Sequence, residues 1–449
     1  MRMRKQNFPV FGKRKIRASR SSSTRADRGS RAFRFSFSFF RGIVVGMENF
    51  VYGNRTLWIF GRGTQSRLGE FVERFAGTRG KVLLHFGGNS IRRSGLYELA
   101  KTQLRERGVA FVELGGVVPN PRLALVREGV ELCRREGVTF ILAVGGGSVI
   151  DSAKAIAAGV PEENGDVWET FVSRRPLKRA LDVATVLTIP ATGSEMSPNT
   201  VITDEASGYK LGYGDEKLRP VFSIVNPELF FTLPPNQIAN GVSDMMSHIF
   251  ERYFSNTPHC EITDGLCESV LRTIVRNALA LRENPRDYDA WAEIGFAGTI
   301  AHNNLLGLGR EQDWACHGME HEISAVYDVA HGAGLAVVTP AWMRYVLPEK
   351  SAKLAQFARN VFGVPAGADD AATARAGIDA LVAFYEKMGL PVTMRALGVP
   401  DDSRFEEMAK KAVLGRSRDG REIPQGKFRR LYSRDIVAIY RLASSLVEN

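Results

Sequence analysis

Between Asn240 and His331 the chain holds one aspartate and several histidines at spacings that could close around a single metal ion. In Gly241-Val242-Ser243-Asp244-Met245-Met246-Ser247-His248, Asp244 and His248 are four residues apart, so on a helix their side chains lie one above the other. In Cys316-His317-Gly318-Met319-Glu320-His321 the same spacing separates His317 from His321, and His331 follows fourteen positions after His317. One carboxylate with two or three imidazoles makes a ligand set for Zn²⁺ or Fe²⁺. Of only seven histidines in 449 residues, four stand at these positions, so a scarce ligand is concentrated where a metal would need it. The His-Glu-x-x-His spacing of zinc proteases is absent, which removes metal-assisted proteolysis.

Such residues need helices to carry them. From Leu233-Pro234-Pro235 to the C-terminus the chain reads as long helix-compatible stretches, and the two prolines mark a domain boundary near Pro235. Before it, apolar runs recur at 82–86, 111–114, 140–144, 184–189 and 221–225, separated by segments of helical period such as Pro121 to Gly137. Strands alternating with helices predict a mostly parallel, doubly wound sheet. The expected architecture is an α/β dinucleotide-binding domain over 47–235 and a helical, metal-binding and catalytic domain over 236–449. A cleft between two such domains is a usual place for a small-molecule site.

Three glycine- or hydroxyl-rich loops follow predicted strands. Val144-Gly145-Gly146-Gly147-Ser148-Val149-Ile150-Asp151 enters a helix, where backbone N–H groups and the positive end of the helix dipole suit a pyrophosphate. Phe86-Gly87-Gly88-Asn89-Ser90-Ile91-Arg92-Arg93 offers no acidic residue for a ribose 2′-OH, and its two arginines suit a 2′-phosphate. The expectation is NADP(H) rather than NAD(H). Ile189-Pro190-Ala191-Thr192-Gly193-Ser194-Glu195 supplies small hydroxyl residues that could donate to a cofactor.

The net charge of +11 invites a nucleic-acid reading, but residues 1–46 alone carry 13 Lys and Arg against one Asp. That segment accounts for +12 and leaves −1 on the remainder, so no basic binding face is expected on the body. Residues 1–46 read as a disordered basic leader or a start assigned too early, with the working protein beginning at Met47. Four irregularly spaced cysteines give neither a disulfide framework nor a thiolate metal site, which fits a reducing cytoplasm. No apolar run approaches the ~18 residues of a transmembrane helix, so no membrane association is expected.

Taken together, the motifs from Val144 to Asp151, Pro190 to Glu195, Asn240 to His248 and Gln312-Asp313-Trp314-Ala315-Cys316-His317 through His331 resemble the iron-containing (group III) alcohol dehydrogenase family. The similarity is to its NADPH-dependent butanol dehydrogenase and aldehyde reductase branch, and it spans Met47 to the C-terminus. It implies a Rossmann-like domain followed by a helical domain, the architecture shared with dehydroquinate synthase. The metal ligands it implies are Asp244, His248, His317 and His331, holding one divalent metal, Fe²⁺ or Zn²⁺. His321 falls at a non-ligand histidine near the nicotinamide that helps relay a proton. Dinucleotide contacts carry over to Gly87, Gly88, Asn89 and Ser90 near the adenine ribose, and to Gly146, Gly147, Ser148 and Asp151 at the pyrophosphate and nicotinamide side. Thr188, Thr192 and Lys210 complete that site.

Asn89 departs from the branch, which often has a third glycine there, and the aspartate that marks many NAD-dependent relatives is missing. The resemblance implies hydride transfer between NADP(H) and a primary alcohol or aldehyde such as butanol or butanal, in a homodimer. A metal- and NAD-dependent lyase of the dehydroquinate synthase type is the alternative. It would need basic residues to hold an anionic substrate, and the metal stretch has only Arg310 nearby. A nucleic-acid-binding protein with a basic arm is the non-enzymatic alternative.

Overall fold

The computed structural model describes residues 46–162, 165–415, 417 and 419–445. The leader expected over 1–46 lies, all but its last residue, outside them. The first half runs β1 (Leu57–Phe60), α1 (Leu68–Ala76), β2 (Lys81–Phe86), α2 (Ser90–Arg93), α3 (Leu96–Glu106), β3 (Ala110–Leu114), α4 (Leu123–Glu136) and β4 (Val138–Gly145). It continues with α5 (Gly147–Gly159), α6 (Val167–Ser173), β5 (Asp182–Leu187), β6 (Asn199–Asp204), β7 (Tyr209–Gly214) and β8 (Phe222–Val225). Six strands form one parallel sheet in the order β1-β8-β5-β4-β2-β3, while β6 and β7 pair as a separate antiparallel hairpin.

The five apolar runs of the sequence are β2, β3, β4, β5 and β8. They are legible because a parallel sheet is covered on both faces, so both sets of alternating side chains are apolar. On one face Val82, Leu84, Phe140, Leu142 and Val144 pack with Phe71, Val72, Ala100 and Leu104 of α1 and α3. On the other, Leu83, Ile141 and Ala143 join Val126, Val130, Ile150 and Ala153 of α4 and α5. The edge strand β1 and the β6–β7 hairpin escaped the sequence reading. β1 is four residues long, and the hairpin mixes apolar residues with Asn199, Asp204, Lys210 and glycines.

Chain order reverses between β2 and β4, so the carboxyl ends of these strands flank a crevice. The Gly87–Ser90 and Gly145–Ser148 loops begin there.

From Pro235 the described chain is helical apart from a bridge between Gln425 and Leu431. Its helices are α7 (Pro235–Tyr253), α8 (Glu261–Glu283), α9 (Tyr288–His302), α10 (Ala315–Tyr327), α11 (His331–Phe362), α12 (Asp370–Met388), α13 (Met394–Leu397), α14 (Phe405–Leu414) and α15 (Ser433–Ser444). Proline at the first position starts α7 without losing a helical hydrogen bond. Every α7 residue from Gly241 to Tyr253 is buried, because the helix is surrounded by α8, α9, α10, α11 and α12 and meets the Pro190 loop at Gly241. Two glycines permit this. A Cβ on Gly241 would stand 2.7 Å from the Pro190 carbonyl, and one on Gly332 would collide with the Asn240 carbonyl. These close approaches bring α7, the start of α11 and the Pro190 loop to one place.

Candidate functional site

Asp244, His248 and Glu251 occupy one face of α7, at four- and three-residue steps. α10 adds His317, Glu320 and His321, and α11 opens with His331. Ligand atoms of Asp244, His317 and His331 all lie within 4.8 Å of one another. Asp244 Oδ1 is 3.2 Å from His248 Nδ1, 3.9 Å from His331 Nε2 and 4.0 Å from His317 Nε2. His248 stands outside the mutual 4.8 Å group, with its ring centroid 4.6 Å from that of His317.

Asp244 Oδ1, His248 Nδ1 and His317 Nε2 are buried and meet no hydrogen-bond partner, since the 3.2 Å approach is not aligned as one. Buried polar atoms left unpaired are costly, and these three converge. A divalent cation among them would engage all three together with His331 Nε2, so the donor set fits a metal. Burial pushes the Asp244 carboxyl up, but the positive charge of His248, His331 and His317 outweighs it and brings the group to about 2. Burial lowers His248 to about 4. An ionised carboxylate beside a neutral imidazole is the protonation state that metal ligation requires.

Two carboxylates behind the histidines were not assigned from the sequence. Glu251 Oε1 accepts from His317 Nδ1 at 2.9 Å and from the His317 backbone N–H at 2.9 Å, while Oε2 accepts from the Trp314 N–H at 2.7 Å. It thereby caps the first turn of α10 and fixes the tautomer that leaves His317 Nε2 facing Asp244. Its signal was available, because Glu251 lies seven residues after Asp244 on the same helical face. Glu320, fully buried, accepts from His331 Nδ1 and from the Ser324 hydroxyl, which turns His331 Nε2 toward Asp244. Nothing local in the sequence pairs Glu320 with His331, eleven residues away across the α10–α11 turn.

His321 lies beside this group, its ring centroid 5.5 Å from that of His331 and 6.5 Å from that of His317. His302, which the spacing argument passed over, sits 4.2 Å from His248 ring to ring, with Nδ1 3.1 Å from Arg252 and Nε2 2.9 Å from Asn199 Nδ2. Trp314 packs edge-on to His317 with its backbone in the left-handed region (φ 68°), where a large side chain is strained.

The metal group forms one wall of a cleft of about 930 Å³ that also touches Gly147, Ser148, Asp151, Thr192 and Lys210. Gly147 begins α5 and Gly146 is its N-cap. A Cβ on Gly147 would overlap the Thr192 hydroxyl, so only glycine lets the Thr192 loop approach the helix end. Gly87 and Gly88 follow β2, Asn89 caps α2 and Ser90 begins it, while the Thr188 N–H donates to Gly145 O at 3.1 Å. These five residues and Gly146 do not line the cleft itself.

Four residues named from the sequence meet protein partners in the structure. Asp151, expected to contact the dinucleotide, spends its carboxylate on the Ser194 hydroxyl (2.6 Å) and the Val201 N–H (2.8 Å), bracing the loop after β5. Lys210, also expected there, places Nζ 3.4 Å from both Glu320 Oε2 and His331 Nδ1. Arg92, exposed in its loop, lies over the Tyr97 ring at 3.9 Å and the Phe86 ring at 5.4 Å. Arg310, the base counted for an anionic substrate, is buried against Asp264 at 2.7 Å and does not line the cleft.

Residues 56–227 match the family model "Iron-containing alcohol dehydrogenase", and residues 238–444 match "Fe-containing alcohol dehydrogenase family, C-terminal". The NADH-dependent butanol dehydrogenase A of Clostridium acetobutylicum is 39% identical over 396 residues, covering 88% of this chain and 99% of that protein. The NADPH-dependent aldehyde reductase YqhD of Escherichia coli is 36% identical over 371 residues, covering 81% and 93%. The crystal structure of NADH-dependent butanol dehydrogenase A from Thermotoga maritima superposes with a TM-score of 0.84 at 40% identity, covering 89% of this chain and 99% of that one.

Proposed function

The chain belongs to the iron-containing alcohol dehydrogenase family, and from that premise we propose that it reduces a short primary aldehyde such as butanal, and oxidises the corresponding alcohol, with NADP(H). Alcohol dehydrogenase or aldehyde reductase activity with a nicotinamide cofactor and a divalent metal follows from the family. The ligand set, the cofactor preference and the substrate are the proposal. One observation carries it: the unpartnered Asp244 Oδ1, His248 Nδ1 and His317 Nε2 face His331 Nε2 in the wall of a cleft that also reaches the N-terminus of α5.

Asp244, His248, His317 and His331 would hold Fe²⁺ or Zn²⁺, which when bound supplies Lewis acidity toward the carbonyl oxygen. Glu251 and Glu320 keep the rings of His317 and His331 aimed at Asp244 by accepting from Nδ1 of each. Gly147 and Ser148 offer backbone N–H groups at the start of α5 for the pyrophosphate. His321, on the cleft wall, is the group that passes a proton to the product oxygen from a ring nitrogen or through a water next to it. Lys210, on the cleft wall and paired with Glu320, would contact the dinucleotide from there.

The loop after β2 supports NADP(H) through its lack of a carboxylate and its exposed Arg93, while relatives known as NADH-dependent butanol dehydrogenases favour NADH. The chain is further proposed to work in the cytoplasm as a homodimer. No described helix is long and apolar enough to cross a membrane.

The test is the initial rate of NADPH and NADH oxidation with butanal, using protein stripped of metal and then given Fe²⁺ or Zn²⁺. Metal-dependent turnover is expected, faster with NADPH. Faster turnover with NADH would overturn the cofactor preference and leave the reductase standing. Protein that binds metal and turns over neither nucleotide would overturn the reductase itself.

A further inference from the structure

Lys154 lies on α5 two turns after Gly147 and is wholly shielded from solvent. Its Nζ is 2.7 Å from Ser194 O, 2.8 Å from Ser194 Oγ, 2.9 Å from Ser197 O and 2.8 Å from Asn199 O. No carboxylate enters that shell: Glu195 accepts from the Thr299 hydroxyl at 2.6 Å, and Asp151 accepts the Ser194 hydroxyl proton. An ammonium has three protons to give, so four oxygens from one turn make a shell built for a compact cation rather than for a single hydrogen bond.

The neighbouring carbonyls follow the same pattern. Met196 O accepts from Arg219 at 2.6 Å and from Asn54 at 3.1 Å, and Glu195 O accepts from the Ser223 hydroxyl. Four consecutive carbonyls, from Ser194 to Ser197, are thus turned toward donors in the interior. Carbonyl dipoles so aligned repel one another unless positive charge lies among them. Burial lowers the Lys154 ammonium to about 8, partly offset by Asp151 and Glu195. At the start of the same turn Thr192 stands directly against Gly147, and both line the cleft.

We propose that Lys154 is a positioning residue for the nicotinamide dinucleotide: its ammonium is the internal cation around which the 192–199 turn is wound, and it thereby fixes Thr192 against the N-terminus of α5. This rests on the dinucleotide reading of the cleft. Lys154 touches no part of the cleft surface, so it acts only through the turn.

The experiment titrates NADPH and NADH into full-length, metal-loaded wild type, Lys154→Met and Lys154→Ala, reading nucleotide fluorescence, metal content and thermal midpoint. Lys154→Met keeps an unbranched side chain one atom shorter and removes the charge, and is expected to raise the Kd for both nucleotides roughly tenfold or more with metal content unchanged. Lys154→Ala leaves a cavity shaped for a primary amine, so propylammonium is expected to restore nucleotide affinity and tetramethylammonium is not. A role in stability alone would shift the thermal midpoint without this selective rescue. If neither Lys154 variant folds, Ser194→Ala, which removes one oxygen of the shell, is expected to weaken nucleotide binding several-fold. Wild-type affinity in Lys154→Met, or in Ser194→Ala where that variant decides, overturns the inference, as does equal rescue by both ammonium ions. Wild type that binds neither nucleotide overturns the cofactor reading and this inference together.

Discussion

At the scale of single residues, the site depends on groups that never touch a substrate. Glu251 holds three donors at once: the His317 ring, the His317 amide and the Trp314 amide. Glu251→Gln keeps the shape but replaces two charged acceptor oxygens with one neutral one. Metal affinity, read by competition with a chelator, should fall by roughly 10- to 100-fold, while nucleotide affinity stays as in wild type. His85 offers a second residue-scale test. It is buried between β2 and α5, its ring bonded to Leu114 O and Ser152 Oγ at 2.9 Å each, and burial lowers it from 6.5 to about 4. Because the unfolded chain takes up this proton first, stability from a neutral His85 is full above about pH 6.5 and lost as pH falls toward 4, on the order of 3 kcal/mol. His85→Gln should reduce proton uptake on unfolding near pH 5 by roughly one, measured from urea midpoints across that window.

At the scale of elements, the positions of α7, α10 and α11 are set by close contacts that only glycine permits. A Cβ on Gly332 would strike the Asn240 carbonyl, a backbone atom that cannot rotate away, and His331 is the next residue back. Gly332→Ala should cost roughly 1–3 kcal/mol through overpacking and should weaken metal binding by moving His331. Gly265, inside α8, meets nothing within 4 Å. Gly265→Ala should stabilise by roughly 0.5–1 kcal/mol, since alanine is the better helix former and no space is contested. Chemical denaturation of both variants checks the pair. Equal effects would mean that the contact at Asn240 can yield.

Over the whole molecule, the candidate metal ligands join three helices, and the cleft they line is bordered on the other side by α5 and the Thr192 loop. The face of the sheet covered by α1 and α3 has a core of its own, while the face covered by α4 and α5 shares one continuous core with the C-terminal helices. Stripping the metal should therefore abolish turnover and leave the sheet folded. In hydrogen exchange, protection is expected to fall over residues 315–335 and to persist in β4. Uniform loss of protection would mean that the two halves unfold as one unit.

What the sequence determined by itself is what local geometry enforces. The i, i+4 pairs Asp244/His248 and His317/His321 were legible because a helix fixes which side chains share a face. β2, β4 and β5 were legible because a strand buried on both sides cannot hide its composition. The leader reading falls outside the described residues. What only the tertiary structure decided are relations between segments far apart in the chain. Which imidazoles gather on Asp244, the pairing of Glu251 with His317 and Glu320 with His331, and the protein partners of Asp151, Lys210 and Arg310 all belong here. So does the stacking of Arg92 on Tyr97. The physical reason is one of range: a side chain's local spacing restricts where it can point, but the partner it meets depends on how closely α7, α10, α11 and the Pro190 loop approach. That approach is set by contacts such as Gly332 on Asn240 and Gly241 on Pro190, in which the residues are 92 and 51 positions apart.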